Sequence, residues 1–326
     1  MNGAEAIAAE IKRAGLARVY AHAGGTISRI LEAIDAAGVK VIVAANEAQA
    51  VHMAQGAFRA SGKAQVAIVT SGPGVTNAMT GVADAYYDQD AVVLICGQVA
   101  TTSMRGDRPV RQMGFQETPT VELMRPISKG AFVVFRGFCG GSMSAALNLA
   151  LKPRPGPVVL DVPMDVAAAE RDSGAWGVLR LPPSPIDHGR VREFMEVFRM
   201  ADHRLIIAGR GCLTAVSKLR EFAGRELALI VTSLPAVGVG GSLGVGFIGH
   251  TGTLQANRLV ANSDVILVLG ARLDVRQTGT LTDEWARGKT IASVDYDAGE
   301  LEHRRVPVDY PFHCSVEEWL EEALRW

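Results

Sequence analysis

Short apolar runs alternate with amphipathic stretches along the whole chain, the pattern of parallel strands covered by helices. In the first half, near-continuous apolar runs predict strands over Arg18–Ala21, Val39–Ala44, Ala64–Thr70, Ala91–Cys96 and Pro157–Asp161. Apolar positions at helical spacing predict helices over Ala4–Ala14, Thr26–Ala37, Glu47–Ala60, Val75–Tyr87 and Cys139–Leu151. Residues 98–130, rich in Thr, Arg, Gln and Pro, follow neither period, and so long an aperiodic stretch marks a functional or mobile segment. The alternation resumes in the second half. Helices are expected over Gly189–Ala201, Leu213–Gly224, Gly252–Ala261 and Ser315–Arg325. Strands are expected over Arg204–Ala208, Ala228–Thr232, Val265–Leu269 and Thr290–Val294.

The fold class that follows is α/β, with two doubly wound parallel-sheet domains over residues 1–166 and 189–326. Between them, residues 167–188 carry Arg-Asp-Ser-Gly and Leu-Pro-Pro-Ser-Pro, which favour an extended linker. A chain of 326 residues is too long for a single growing core, which agrees with two domains.

Composition narrows the function classes. With 48% hydrophobic residues and a net charge of −1, nothing favours nucleic acid or an anionic membrane surface. The apolar runs have strand length and are too short to span a bilayer. The four cysteines are widely separated, with neither zinc spacing nor a disulfide framework. Met-Asn-Gly-Ala-Glu-Ala shows no signal-peptide pattern, so the expected location is the cytoplasm.

Three strand–helix corners of the first half carry candidate chemistry. Glu47 follows the apolar strand ending at Ala44, at the carboxyl edge where open α/β sheets place ligands. Its plainer reading is a first-turn acid behind an Asn46 N-cap. Thr70-Ser71-Gly72-Pro73-Gly74 opens a helix, with glycines that admit a ligand to the backbone and free N–H groups beyond. A tight turn that binds nothing has the same look, and the absence of Gly-Lys-Ser/Thr excludes a P-loop. His22-Ala23-Gly24-Gly25-Thr26 is the third corner; His22 is an acid–base candidate or simply a polar loop residue.

In the second half, Gly209-Arg210-Gly211 follows a strand but lacks the third glycine of a dinucleotide fingerprint. Gly270-Ala271-Arg272-Leu273-Asp274-Val275-Arg276 ends another strand with two guanidiniums suited to an anion. Asp295, closing a further strand, is placed to accept hydrogen bonds from a ribose or adenine group. Taken singly, each of these has a structural explanation.

Taken together, the motifs resemble the acetolactate synthase-like family of thiamine diphosphate enzymes. The likeness runs through Asn2–Ala6, the His22–Gly25 corner, Glu47, Thr70–Asn77, Phe115-Gln116-Glu117, Arg125–Lys129, Arg154–Val158 and Asp161–Asp165. It continues through Gly249–Thr253 and Gly270–Arg276. The first half resembles the pyrimidine-binding domain and the second the Rossmann-like central domain. By this resemblance Gly24, Glu47, Thr70, Pro73, Asn77 and Phe115 line the thiamine site. Glu47 would share a proton with the aminopyrimidine ring, and Gln116 and His22 would contact substrate. Gly209, Arg272, Asp274, Arg276 and Asp295 are the corresponding candidates for FAD. There are departures: His22-Ala23 stands where the family has Tyr-Pro, and Arg105–Met113 makes the segment before Phe115 longer and more basic.

Nowhere in the 326 residues does Gly-Asp-Gly precede an Asn, the pairing by which such enzymes hold Mg²⁺ and diphosphate. The resemblance therefore implies the larger subunit of a split enzyme. A separate subunit would carry the diphosphate-binding domain and Mg²⁺, in an α₂β₂ assembly built on a homodimer of this chain. The implied reaction is decarboxylation of a 2-oxo acid such as pyruvate, with acyl transfer to an acceptor. The competing expectation is a non-catalytic regulatory or scaffolding subunit that keeps the fold. A nicotinamide-dependent dehydrogenase fails on the missing fingerprint after the first strand.

Overall fold

A computed structural model describes residues 1–170 and 186–326. Two compact units emerge, Met1–Arg180 and Leu181–Trp326. Most of the expected linker, residues 171–185, lies outside the described residues.

The first unit is a six-stranded, wholly parallel sheet. Its strands are β1 (Arg18–Ala21), β2 (Lys40–Val43), β3 (Gln65–Val69), β4 (Val92–Gln98), β5 (Gly130–Val133) and β6 (Val158–Pro163), in the order β2-β1-β3-β4-β6-β5. Helices α1 (Gly3–Arg13), α2 (Ser28–Ala36), α3 (Glu47–Ser61), α4 (Pro73–Asp88), α5 (Thr120–Met124), α6 (Cys139–Leu151) and α7 (Met164–Ala168) surround it. Strands β3, β4 and β6 are buried along their whole length, which is why they read as unbroken apolar runs. One face packs Ile7, Ile11, Ile30 and Ile34 against the sheet, and the other packs Val51, Val75 and Val82.

The second unit repeats the architecture. Its strands are β7 (Arg204–Ala208), β8 (Leu229–Thr232), β9 (Gly244–Phe247), β10 (Val265–Leu269), β11 (Thr290–Asp295) and β12 (Tyr310–His313), all parallel, in the order β12-β11-β10-β7-β8-β9. Helices α8 (His188–Met200), α9 (Val216–Arg225), α10 (Leu254–Asn262), α11 (Val275–Thr278), α12 (Thr282–Ala286), α13 (Ala298–Glu302) and α14 (Val316–Ala323) accompany them. One face is organised around Trp319, whose ring meets Phe194, Phe222 and Phe312 at centroid distances of 6.1, 5.7 and 5.7 Å. No helix among the described residues is long and apolar enough to cross a membrane.

The second sheet reverses its winding direction once and the first sheet twice, the second time where β6 sits between β4 and β5. In the first unit β1 and β3 are neighbours although β2 lies between them in sequence; in the second, β7 and β10 stand in the same relation. The crevice beyond the carboxyl ends of such strands is where open α/β sheets bind ligands.

Three strands go beyond the sequence expectation: β5, β9 and β12. Each lies at an edge of its sheet. The stretch expected to be irregular also contains the short helix α5.

Candidate active site

Three corners meet at the β1/β3 switch point. Asn46 caps α3 by accepting the Gln49 N–H at 2.9 Å, which fixes Glu47 at the first helical position. The Glu47 side chain turns inward and is buried, with 9% exposure. Its Oε2 accepts a hydrogen bond from Asn77 Nδ2 at 2.5 Å, joining the start of α3 to α4. Helices α3 and α4 approach closely at Gly81, where a Cβ would lie 2.7 Å from Val51 Cβ.

His22 follows β1. The Ala44 carbonyl accepts from its Nδ1 at 3.0 Å, so this nitrogen carries the ring proton. Its Nε2 then faces Glu47 Oε1 at 4.0 Å, beyond hydrogen-bond reach and an ion pair only when the imidazole is protonated. Among the described residues none donates a hydrogen bond to Oε1.

The third corner is packed by glycines. A Cβ on Gly24 would collide with the Thr70 side chain. Thr70 and Thr26 share a hydroxyl–hydroxyl bond of 2.8 Å, and Thr26 Oγ1 also accepts the Ser71 N–H at 3.1 Å. Gly72 has φ +68° and ψ −125°, a conformation open to glycine, and Pro73 starts α4 at the next residue. A Cβ on Gly74 would lie 3.4 Å from Glu47 Oε1, so the floor beneath the carboxylate is bare backbone. The Ser71 hydroxyl is buried and has no hydrogen-bond partner among the described residues.

Gln116 joins this corner from residues 98–130. A Cβ on Gly72 would lie 2.7 Å from Gln116 Cβ, so the two residues are in direct apposition. Gln116 holds φ +63°, which is rare outside glycine and concentrates at functional sites. Beside it, Phe115 is 82% exposed and does not reach the buried corner. Glu117 clamps the basic loop, accepting the Arg105 N–H at 2.6 Å and the Met113 N–H at 2.7 Å. The first unit thus gathers His22, Gly24, Glu47, Thr70, Pro73, Asn77 and Gln116 at one edge.

In the second unit Gly209 and Gly270 meet at the β7/β10 switch point, with Gly209 N–H donating to Leu269 O at 2.8 Å. A Cβ on Gly209 would collide with the Gly270 carbonyl. A shallow cleft opens nearby, lined in part by Arg272, Leu273, Asp295, Glu300 and Arg304. Arg272 Nη1 lies 3.8 Å from Glu300 Oε1. Asp274 does not line the cleft; its Oδ1 caps α11 by accepting the Arg276 N–H at 2.8 Å. Asp295 Oδ1 accepts the Asp297 N–H at 2.9 Å. Leu273 has φ +52°, the second unit's counterpart of Gln116.

One buried polar group escapes a reading from sequence. Gln98 Nε2 donates to Asp161 Oδ2 at 3.0 Å and to the Thr118 carbonyl at 2.8 Å. Burial raises the Asp161 carboxyl to about 7, and hydrogen bonds from Gln98 and Thr120 only partly oppose this. The signals the sequence offers are a Gln and an Asp each ending an apolar run, and Asp161 opening the Asp161–Asp165 segment of the family resemblance.

The model of the thiamine pyrophosphate enzyme N-terminal TPP binding domain matches residues 1–123, and that of the thiamine pyrophosphate enzyme central domain matches residues 191–323. The acetolactate synthase large subunit of Haemophilus influenzae is 32% identical over 337 residues, covering 99% of this chain and 57% of that protein. The acetolactate synthase isozyme 3 large subunit of Escherichia coli is 31% identical over 337 residues, with 99% and 57% covered. The chloroplastic acetolactate synthase of Arabidopsis thaliana is 32% identical over 330 residues, with 96% and 47% covered. The chain spans about half the length of these relatives. It belongs to the thiamine pyrophosphate enzyme family, with N-terminal and central domains like those of acetolactate synthase large subunits.

Proposed function

We propose that this chain supplies the pyrimidine half of a thiamine diphosphate site and works as the larger subunit of a split acetolactate synthase-like enzyme. The carrying observation is the Glu47 carboxylate, buried at the switch point with Oε2 held by Asn77 and Oε1 left open above Gly74. A ring nitrogen that shares a proton fits there: the floor is glycine backbone and the acceptor oxygen is unspent. Gly24, Thr70, Pro73 and Asn77 would hold the ring beside Glu47.

Bound thiamine diphosphate supplies the electron sink for decarboxylating a 2-oxo acid such as pyruvate and passing its acyl group to an acceptor. This chain's part is positional and protonic. Glu47 Oε1 holds and releases the proton shared with the ring, while Asn77 keeps the carboxylate oriented. Gln116, fixed against Gly72, and His22, fixed by Ala44 O, orient the substrate. Phe115 is exposed and is assigned to the face that a second domain covers. Enclosure by that domain excludes water and strengthens the Glu47 hydrogen bond.

Among the described residues no three His, Cys, Asp or Glu side chains are placed to hold a metal ion. Mg²⁺ and the diphosphate would be held by a separate subunit, in a cytoplasmic α₂β₂ assembly built on a homodimer of this chain. FAD is assigned to the β7/β10 edge, at Gly209, Arg272, Arg276 and Asp295, with Asp274 supporting the turn. The fit there is partial, because the cleft is shallow and encloses far less than the roughly 300–1,000 Å³ of a small-molecule pocket. No step is assigned to FAD.

The test is affinity purification of this chain from its host, followed by assay of the complex with Glu47→Gln. A stoichiometric companion carrying Gly-Asp-Gly and a downstream Asn is expected, with assembly intact and most activity lost in the variant. Near-wild-type turnover in Glu47→Gln would sink the mechanism. Recovery of the chain alone, unable to bind thiamine diphosphate with Mg²⁺, would favour a non-catalytic scaffold.

A further inference from the structure

Beneath the Phe115–Glu117 turn lies a buried polar pair that the half-site chemistry does not use. Gln98 ends β4 with no exposure, and Asp161, on the neighbouring β6, is 2% exposed. Gln98 spends all its groups: Nε2 reaches Asp161 Oδ2 at 3.0 Å and Thr118 O at 2.8 Å, and Oε1 accepts the Val99 N–H at 2.9 Å. Burying an amide and a carboxyl among Val, Leu and Cys side chains is costly even when they are paired, and an apolar pair of similar size packs at least as well. Stability therefore does not explain the pair. Direction does.

The bond to Thr118 O fastens an otherwise irregular segment to the sheet. From there Thr118 Oγ1 donates to Gln116 O at 3.2 Å. Gln116 itself holds φ +63°, a conformation that persists only where its surroundings over-determine it. Gly72 provides the space above, and the Gln98–Asp161 pair provides the anchor below.

We infer that Gln98 and Asp161 are positioning residues, which hold Thr118, and through it Gln116, against the Gly72 corner. The catalytic consequence rests on the reading of Gln116 as a substrate contact; the positioning does not. Asp161 receives the Gln98 amide and thereby orients it toward Thr118.

Hydrogen exchange on the full chain, without cofactor or partner, tests the positioning directly. In Gln98→Met, amides of residues 104–118 should exchange on the order of tenfold faster, the equivalent of losing one hydrogen bond. Amides of β3, β4 and β6 should keep their protection, which a merely structural role would not allow. Asp161→Asn keeps an acceptor for Gln98 and should restore wild-type exchange in this segment. Should Gln98→Met not fold, Thr118→Val removes only the last link and should loosen the same amides. Unchanged exchange in residues 104–118, or a loss spread through the sheet, overturns the inference.

In the complex with its partner subunit, Gln98→Met and Thr118→Val should raise KM for the 2-oxo acid about tenfold, Asp161→Asn should not, and all three should leave thiamine diphosphate affinity unchanged. Faster local exchange with unaltered kinetics keeps the positioning and removes Gln116 from the substrate site. Altered kinetics with unchanged exchange does the reverse.

Discussion

Asn77 Nδ2 donates to Glu47 Oε2 across 2.5 Å, and this single bond ties the first turn of α3 to α4 at the β1/β3 switch point of the first sheet. The donor is neutral and the acceptor is a carboxylate, a class of hydrogen bond worth about 1.5–3 kcal/mol. Asn77→Ala should therefore lower kcat/KM of the assembled enzyme by roughly tenfold or more and the melting temperature by roughly 3–12 °C. Asn77→Asp should be worse, because two carboxylates at this distance cannot both ionise. Steady-state kinetics beside thermal melts checks both; equal activity in all three proteins would remove Asn77 from the site.

Gly72 and Gly106 both have positive φ, +68° and +56°, but only Gly72 has a neighbour in the way. Gly106→Ala meets open space and should cost only backbone strain, about 1–2 kcal/mol in chemical denaturation, with activity kept. Gly72→Ala would drive a Cβ to 2.7 Å from Gln116 Cβ and should also cost most of the activity. An active Gly72→Ala enzyme would show that Gln116 need not hold its place.

Arg59 braces the helix that carries Glu47. Its Nε and Nη2 reach Asp90 Oδ2 at 2.9 and 2.6 Å, and Asp90 has no exposure. These bonds raise the Arg59 pKa despite partial burial, so the guanidinium is charged at any working pH. Arg59→Met leaves a buried carboxylate that still accepts from the Gln55 amide at 3.2 Å but has lost its guanidinium. Breaking such a pair costs about 3 kcal/mol, or roughly 6–12 °C in melting temperature for a unit of this size. A shift below about 2 °C would mean that the carboxylate finds water or a proton instead.

Every interior strand reads plainly from sequence, and one edge strand, Lys40–Val43, reads as part of the apolar run Val39–Ala44. Arg18–Ala21 falls as expected, and Val265–Leu269 likewise, because strands buried on both faces must be apolar throughout. The missed strands are edges. Gly130–Val133 is half-exposed, Gly244–Phe247 alternates with glycine, and Tyr310–His313 contains a proline that only an edge tolerates. The site divides in the same way. Glu47 and Thr70–Asn77 stand at strand–helix corners, where a local motif carries the information. Gln116 was visible only through resemblance, since nothing local says that its turn folds back onto Gly72. Gln98 and Asp161 lie 63 residues apart, and their meeting depends on β4 and β6 pairing in a register no local pattern specifies.

Asp161 gives the chain a stability that depends on pH, and the sign follows from burial. Desolvation raises its carboxyl from 3.8 to about 7, with Glu122 adding like charge, while Gln98 and Thr120 pull the other way. Cys96 faces it from β4 with its own thiol pushed well up, so it stays neutral and offers no counter-charge. Below pH 4 the carboxyl is protonated in both folded and unfolded chains, and its contribution is fully present. As pH rises toward 7 the unfolded chain loses the proton and the folded chain keeps it, so stability falls by up to about 4 kcal/mol. Asp161→Asn carries no titrating group and should lose less stability than wild type between pH 4 and pH 7. Denaturant unfolding of both proteins at pH 4.5, 6 and 8 measures this, with the two curves diverging in the variant's favour toward pH 8. Parallel curves would mean that Asp161 ionises in the fold as readily as in water, and that its unpaired Oδ1 is hydrated.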